Sequence, residues 1–329
     1  MSFILWLVFT CINLQAQRLN GISLVASTEI LDQQAVDPVL GVGASHVAVM
    51  PFGFVRSLSH PEVIYNTSRQ WHGETLDGAS QYIDVLHSNS LKVMLKPQLW
   101  IWRGEFTGHL EMESEAAWKE FEEGYTGFIL DYAQLAAQKE VDLFCIGTEL
   151  ENFIVKRPKY WQQLIKKIRE VYDGPLTYAA NWDEYKRVPF WTELDYIGID
   201  AYFPVSELKT PTELDARDGW DHWKKEMRSV SRQSQKPVLF TEYGYRSMDF
   251  AGKEPWLASR GKQEVNLDAQ ANLLTALYEE LWGEPWFAGG FLWKWFMAHD
   301  RSGGPDNDRF TPQNKPATIV VQYYYEKPE

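Results

Sequence analysis

The chain has 329 residues, 45% of them apolar and 15% aromatic, with a formal net charge of −13. That length allows one large domain or two small ones. An acidic chain without a Lys/Arg cluster excludes the usual nucleic-acid surface and electrostatic docking on anionic membranes, and suits a neutral substrate.

Phe3 to Leu14 is an apolar run with the length of a signal-peptide core, too short to cross a bilayer. Ala16 before Gln17 offers a cleavage point. Residues 1–17 are therefore expected to be a signal peptide and residues 18–329 a catalytic domain, secreted or periplasmic. No charged n-region precedes the run apart from the terminal amine, so a buried N-terminal segment is the alternative. Cys11 lacks a small-residue lipobox, and no membrane anchor is expected. Cleavage would leave Cys145 alone, without an internal disulfide. Set in an apolar strand, Cys145 reads as a small buried hydrophobe.

Strand-like and helix-like segments then alternate. Gly21 to Val25 reads as the first strand and Asp32 to Leu40 as a short helix. His46 to Met50 is the second strand, stopped by Pro51. A polar loop, 57–73, leads to a helix over Leu76 to Ser88. Lys92 to Leu95 is the third strand, closed by Lys96-Pro97 and followed by a Trp-rich loop. Glu113 to Lys139 is a long amphipathic helix. Asp142 to Ile146 is the fourth strand, and Lys159 to Tyr172 a helix with Trp161, Leu164, Ile165 and Ile168 on one face. Leu176 to Ala180 and Asp195 to Ile199 are strands five and six. A helix over Trp220 to Ser234 precedes strand seven, Val238 to Phe240. Leu267 to Trp282 is helical, Gly289 to Leu292 is strand eight, and Ala317 to Tyr325 closes the chain. Alternation of this kind demands a parallel sheet, and eight units fit a single (β/α)8 barrel. An open doubly wound sheet would also alternate, but no G-x-G-x-x-G or P-loop occurs.

Two strands run into a carboxylate preceded by Thr: Thr148-Glu149 after the fourth and Thr241-Glu242 after the seventh. At about 31 residues per unit their spacing is three units, which sets the two ends across the barrel mouth from each other. A charge directly after a buried apolar run is costly unless it has a task there. Two carboxyl groups at such a mouth suit glycoside hydrolysis. One protonates the leaving oxygen, and the other attacks or stabilises the anomeric carbon. Sequence spacing leaves retention and inversion both open.

The chain resembles glycoside hydrolase family 113, the (β/α)8 β-mannanases of clan A. The resemblance spans residues 19–326. It rests on Gly21-Ile22-Ser23, Met94-Leu95-Lys96-Pro97, Ile146-Gly147-Thr148-Glu149-Leu150, Gly198-Ile199-Asp200-Ala201-Tyr202-Phe203-Pro204, Phe240-Thr241-Glu242-Tyr243-Gly244 and the run from Phe310 to Ala317. It implies a retaining enzyme acting on mannan or manno-oligosaccharides, with Glu149 as acid/base and Glu242 as nucleophile. Tyr202 would hydrogen-bond the nucleophile, and Trp293 would floor the sugar site. The clan generally has Asn before the acid/base to bind the sugar 2-hydroxyl, where this chain has Thr148. Asn181 and Asn152 are the candidates to replace it. Glu151 is the competing acid, otherwise a solvated loop residue.

Other signals are weaker. The chain has 15 Trp; aromatic faces stack on pyranose rings, although most of this number belongs in a core. Trp100, Trp102 and Trp182 follow strand ends and could stack sugars. Lys96 either binds sugar hydroxyls or pairs with a carboxylate, and Asp200 is either a third acid or a structural partner. No H-E-x-x-H or paired His spacing occurs, so no metal or cofactor is expected. Asp306-Asn307-Asp308 reads as a polar surface turn. Ser23 and Ser27 lie in no G-x-S-x-G elbow. Two further readings stay open: a clan-A hydrolase for another β-glycan such as glucan or xylan, and a non-catalytic barrel that binds carbohydrate.

Overall fold

The computed structural model describes residues 18–257, 261 and 263–327. The signal-peptide expectation for residues 1–17 lies outside them. Strands β1 (Leu19–Leu24), β2 (His46–Val49), β3 (Lys92–Leu95), β4 (Leu143–Thr148), β5 (Leu176–Asn181), β6 (Ile197–Asp200), β7 (Val238–Tyr243) and β8 (Phe287–Trp295) close into a parallel barrel. The helices are α1 (Gln33–Gly41), α2 (Leu76–Ser88), α3 (Glu115–Gln138), α4 (Glu151–Lys156), α5 (Pro158–Arg169), α6 (Glu213–Ser234), α7 (Leu267–Leu281) and α8 (Pro316–Glu326). This is a (β/α)8 barrel.

Local chemistry sets the helix starts. Asp32, Thr75 and Ser114 each accept a hydrogen bond from the backbone N–H three residues on, capping α1, α2 and α3. Thr212 and Asp215 form a reciprocal capping box. That box starts α6 at Glu213, about two turns earlier than its apolar pattern suggests.

The core has two layers. Met50, Met94, Leu143, Cys145, Leu239 and Phe291 belong to the cluster that fills the barrel interior. A larger cluster lies between strands and helices and includes Trp161, Leu164, Ile165 and Ile168 of α5. Gly21 makes the inner layer possible, because a Cβ there would lie 2.5 Å from the Phe291 ring.

Two features depart from the simple alternation. The β5–β6 connection holds two short 3-10 turns, Tyr185–Arg187 and Trp191–Glu193, and no α-helix. The strands at Pro51 and Pro97 do not end there. Each resumes one residue later, in segments Phe52–Val55 and Gln98–Ile101, which pair in parallel; Ile64–Tyr65 adds an antiparallel third strand. Proline removes one donor from a ladder, yet Gln98 N–H donates to the Pro51 carbonyl at 2.9 Å. The small sheet so formed carries Phe52, Phe54 and Trp100 to the barrel mouth.

Candidate active site

The site is built on irregularities in the two strands that carry the glutamates. In β7, Phe240 and Tyr243 both face the helices: Phe240 packs on Trp220, and Tyr243 on Tyr278. They are three positions apart, so one extra residue interrupts the period of two. The pairing of β7 with β6 shifts register at this point, leaving Glu242 opposite Asp200. Thr241 and Glu242 consequently both turn inward. The β4–β5 pairing also shifts between Cys145 and Thr148. Glu149 follows with φ +49°, a left-handed conformation that a non-glycine side chain seldom adopts. The peptides on both sides of it are anchored. Its own N–H donates to the Ala179 carbonyl at 2.8 Å, and the Leu150 N–H donates to the Tyr178 hydroxyl at 2.7 Å.

Glu242 is almost fully buried and surrounded by donors. Lys96 Nζ donates to Oε1 at 2.5 Å, Gln98 Nε2 to the same oxygen at 3.3 Å, and the Tyr202 hydroxyl to Oε2 at 2.8 Å. Lys96 also reaches both oxygens of Asp200, at 3.1 and 3.3 Å, and Thr241 donates to Asp200 at 2.7 Å. Burial alone would lower the Lys96 ammonium, but Asp200 and Glu242 outweigh it and raise it. Burial and Glu242 push Asp200 up to about 7, against the pull of Lys96 and Thr241.

Glu149 is held differently. Burial, then the charges of Asp200 and Glu242, lift its carboxyl well above the ordinary range. No side-chain donor reaches it among the described residues. Lys96 bonds Asp200 and Glu242 but not Glu149, so Glu149 is the carboxyl of this cluster without a side-chain donor among the described residues.

Two cavities meet at these glutamates. One of about 630 Å³ is lined by Phe52, Phe54, Trp71, Glu74, Trp100, Phe106, Thr148 and Lys294, among others. The other, about 560 Å³, is lined by Asn181, Trp182, Tyr202, Trp256 and Phe310. Glu149, Glu242, Trp293 and Phe106 line both. Together they form one cleft with the carboxyl pair at its waist and aromatic walls on either side. Trp182 and Trp256 stack at 4.9 Å with an interplanar angle of 19°.

The sequence profile of Glycoside Hydrolase Family 113 matches residues 32–315. The chain belongs to glycoside hydrolase family 113. As a family 113 member it is a glycosidase. Solved structures of similar fold include the GH113 β-mannanase AaManA of Alicyclobacillus acidocaldarius in complex with ManMIm. It is 24% identical with a TM-score of 0.81, and the match covers 94% of this chain and 97% of that one. A GH113 β-1,4-mannanase complex is 22% identical, TM-score 0.81, with 95% and 100% coverage. A Faecalibacterium prausnitzii β-glucuronidase shares the fold at 18% identity and TM-score 0.63, with 94% of this chain covering 49% of that one. No curated protein sequence matches.

In this family 113 chain, Glu149, Glu242, Tyr202, Trp293, Asn181 and Trp182 all line the cleft. Lys96 does not. It is fully buried beneath Glu242, so its ammonium meets carboxylates and not sugar. Asn152, on α4, lines neither lobe, and Trp102 stands 68% exposed outside them. Of the two asparagines considered for the 2-hydroxyl, Asn181 alone lies beside the glutamates. Its Oδ1 accepts from the Trp182 N–H at 2.7 Å. The Thr148 hydroxyl is buried without a partner among the described residues. Glu151 is turned to the surface and pairs with Arg187. The expected surface turn at Asp306 to Asp308 is wrong for Asp308, which is buried against Arg246 at 2.7 Å.

Sequence reasoning missed Gln98, Lys294, Trp256, Phe106 and Glu74, which line the cleft, and Glu184 behind it. Gln98 is the one with a signal, since it resumes a strand directly after Pro97. Lys294 Nζ sits over the Trp293 and Phe296 rings at 5.2 and 5.3 Å, and burial lowers it despite Glu242.

Lys96 provides a stability test. Lys96→Met is expected to cost about 3–5 kcal/mol, because it strands two buried carboxylates. Chemical denaturation measures this. A loss below about 1 kcal/mol, the range of exposed pairs, would contradict the buried arrangement.

Proposed function

We propose that this enzyme cleaves β-mannosidic linkages within mannan or manno-oligosaccharides, retaining the anomeric configuration by double displacement. Glu242 attacks the anomeric carbon. Tyr202, Gln98 and Lys96 donate to its oxygens and aim it. Glu149 protonates the leaving oxygen and then, as a base, activates water for the second step. Trp293, which lines both lobes, floors the sugar between the two carboxyl groups. Asn181 stands where a 2-hydroxyl contact can replace the one Thr148 does not supply.

One observation carries this reading: two carboxyl groups, Glu242 surrounded by donors and Glu149 with no side-chain donor among the described residues, sit at the waist of a cleft with a lobe on each side. A lobe on each side accommodates sugars before and after the bond that breaks, which favours mid-chain cutting. The mannan preference is supported by the family and by similar structures named as β-mannanases. Export, read from Phe3 to Leu14, belongs to the same proposal, since a polysaccharide does not enter a cell intact.

A panel of mannan, glucan and xylan, with products sized over time, tests it. A ladder of oligosaccharides from mannan, with little release from the other two, is expected. Preferential breakdown of glucan or xylan would replace mannan as substrate. Release of single sugars alone would overturn mid-chain cutting.

A further inference from the structure

We propose that Glu184 is a positioning residue for Glu149: through Tyr178 and the Leu150 peptide it fixes the backbone that carries that carboxyl. The proposal rests on the acid/base reading of Glu149.

Glu184 follows β5 and is fully buried. The Tyr178 hydroxyl donates to its Oε1 at 2.6 Å, and the Asn181 N–H donates to its Oε2 at 2.9 Å. Tyr178 in turn accepts from the Leu150 N–H at 2.7 Å. A continuous chain of bonds therefore runs from the peptide after Glu149, through one phenol, to a carboxylate, and on to the backbone of a cleft residue. Tyr178 cannot swing, because its ring is enclosed by Trp161, Phe190 and Trp191. The left-handed backbone of Glu149 is thus pinned one residue downstream.

Both oxygens of Glu184 accept, and the Tyr178 oxygen already has the Leu150 N–H, so each atom of this chain has one fixed role. Burial outweighs the two donors and pushes Glu184 up to about 8. No ammonium or guanidinium is bonded to Glu184 among the described residues. The charges that act on it include Glu151, which Arg187 engages, and Asp200, which Lys96 engages. Glu149 is faced by Asp200 from β6, Glu242 from β7, Lys96 after β3 and Glu184 after β5. Of the three carboxylates, Asp200 and Glu242 share the lysine.

The substrate dependence of kcat/KM tests this. Glu184→Ala removes both acceptors. It is expected to lower kcat/KM on mannan about tenfold or more through misplacement of the acid, with a smaller loss of kcat/KM on a dinitrophenyl glycoside. Equal losses on the two substrates overturn the proposal. If that variant does not fold, Tyr178→Phe carries the test, since the ring keeps its packing and only the hydroxyl is lost. It should then lower kcat/KM on mannan about tenfold or more through misplacement of the acid, with a smaller loss of kcat/KM on a dinitrophenyl glycoside, whose leaving group needs no proton in the first step. Equal losses on both substrates overturn the proposal. The role of Glu149 is checked separately. If Glu149→Ala loses activated and natural substrates alike, the acid/base reading falls and takes this proposal with it. If Glu149→Ala behaves as an enzyme lacking its acid while Glu184→Ala loses equally on both substrates, this proposal alone falls.

Discussion

Glu242→Ala is expected to lower kcat on manno-oligosaccharides by on the order of 10⁵-fold, the scale seen when a covalent nucleophile is removed. The loss is this large because no other group can replace it. Asp200 lies beside Glu242 but is bonded to Lys96 and Thr241 and faces the barrel interior. Azide should enter the space vacated by the carboxylate and attack the anomeric carbon from the same side. With an activated aryl mannoside it should restore turnover and give a glycosyl azide of inverted configuration, identified by NMR. Substantial unassisted activity in this variant would rule out Glu242 as nucleophile.

Glu149→Ala should give a different pattern. General acid catalysis contributes about 10²–10⁴-fold, and that contribution is needed only where the leaving group is a poor one. On mannan the loss should be in that range. With a dinitrophenyl mannoside the first step should proceed nearly as before, and the covalent intermediate should accumulate, because no base activates water. Azide should then accelerate turnover and give a product of retained configuration. The basic limb of the wild-type profile should lie well above the ordinary carboxylate range, since activity needs Glu149 protonated and burial raises its pKa. A basic limb in the ordinary carboxylate range, or equal losses on both substrates, would contradict the assignment.

The barrel was legible because its strands obey simple rules. A strand buried on both faces reads as a short apolar run, as Val238 to Phe240 does, and the helices between strands repeat every 3.6 residues. The glutamates were legible because each puts a charge directly after such a run. What was hidden depends on contacts between distant parts of the chain. The two carboxylates of Lys96 lie 104 and 146 positions away, and nothing local announces them. Pro51 and Pro97 read as strand ends, since the missing donor is visible in sequence and the resumption of pairing is not. Trp100 and Trp102 are two apart and would share a face if the strand continued. The strand stops at Ile101 and Trp102 enters a 3-10 turn, so one lines the cleft and the other faces solvent. Glu184 has no motif at all; its partners are a phenol on the preceding strand and a backbone amide.

The extra residue in β7 has a consequence for anyone transplanting this chemistry. Copying Thr-Glu onto a regular strand of an idealised scaffold would send one of the two side chains into the greasy layer under the helices, because neighbours on such a strand point to opposite faces. If the glutamate went outward, an unpaired carboxylate would replace packing like that of Tyr243 on Tyr278. If it went inward, the threonine that secures Asp200 would be lost from the lumen. A successful graft must copy the irregular backbone first and the two residues second.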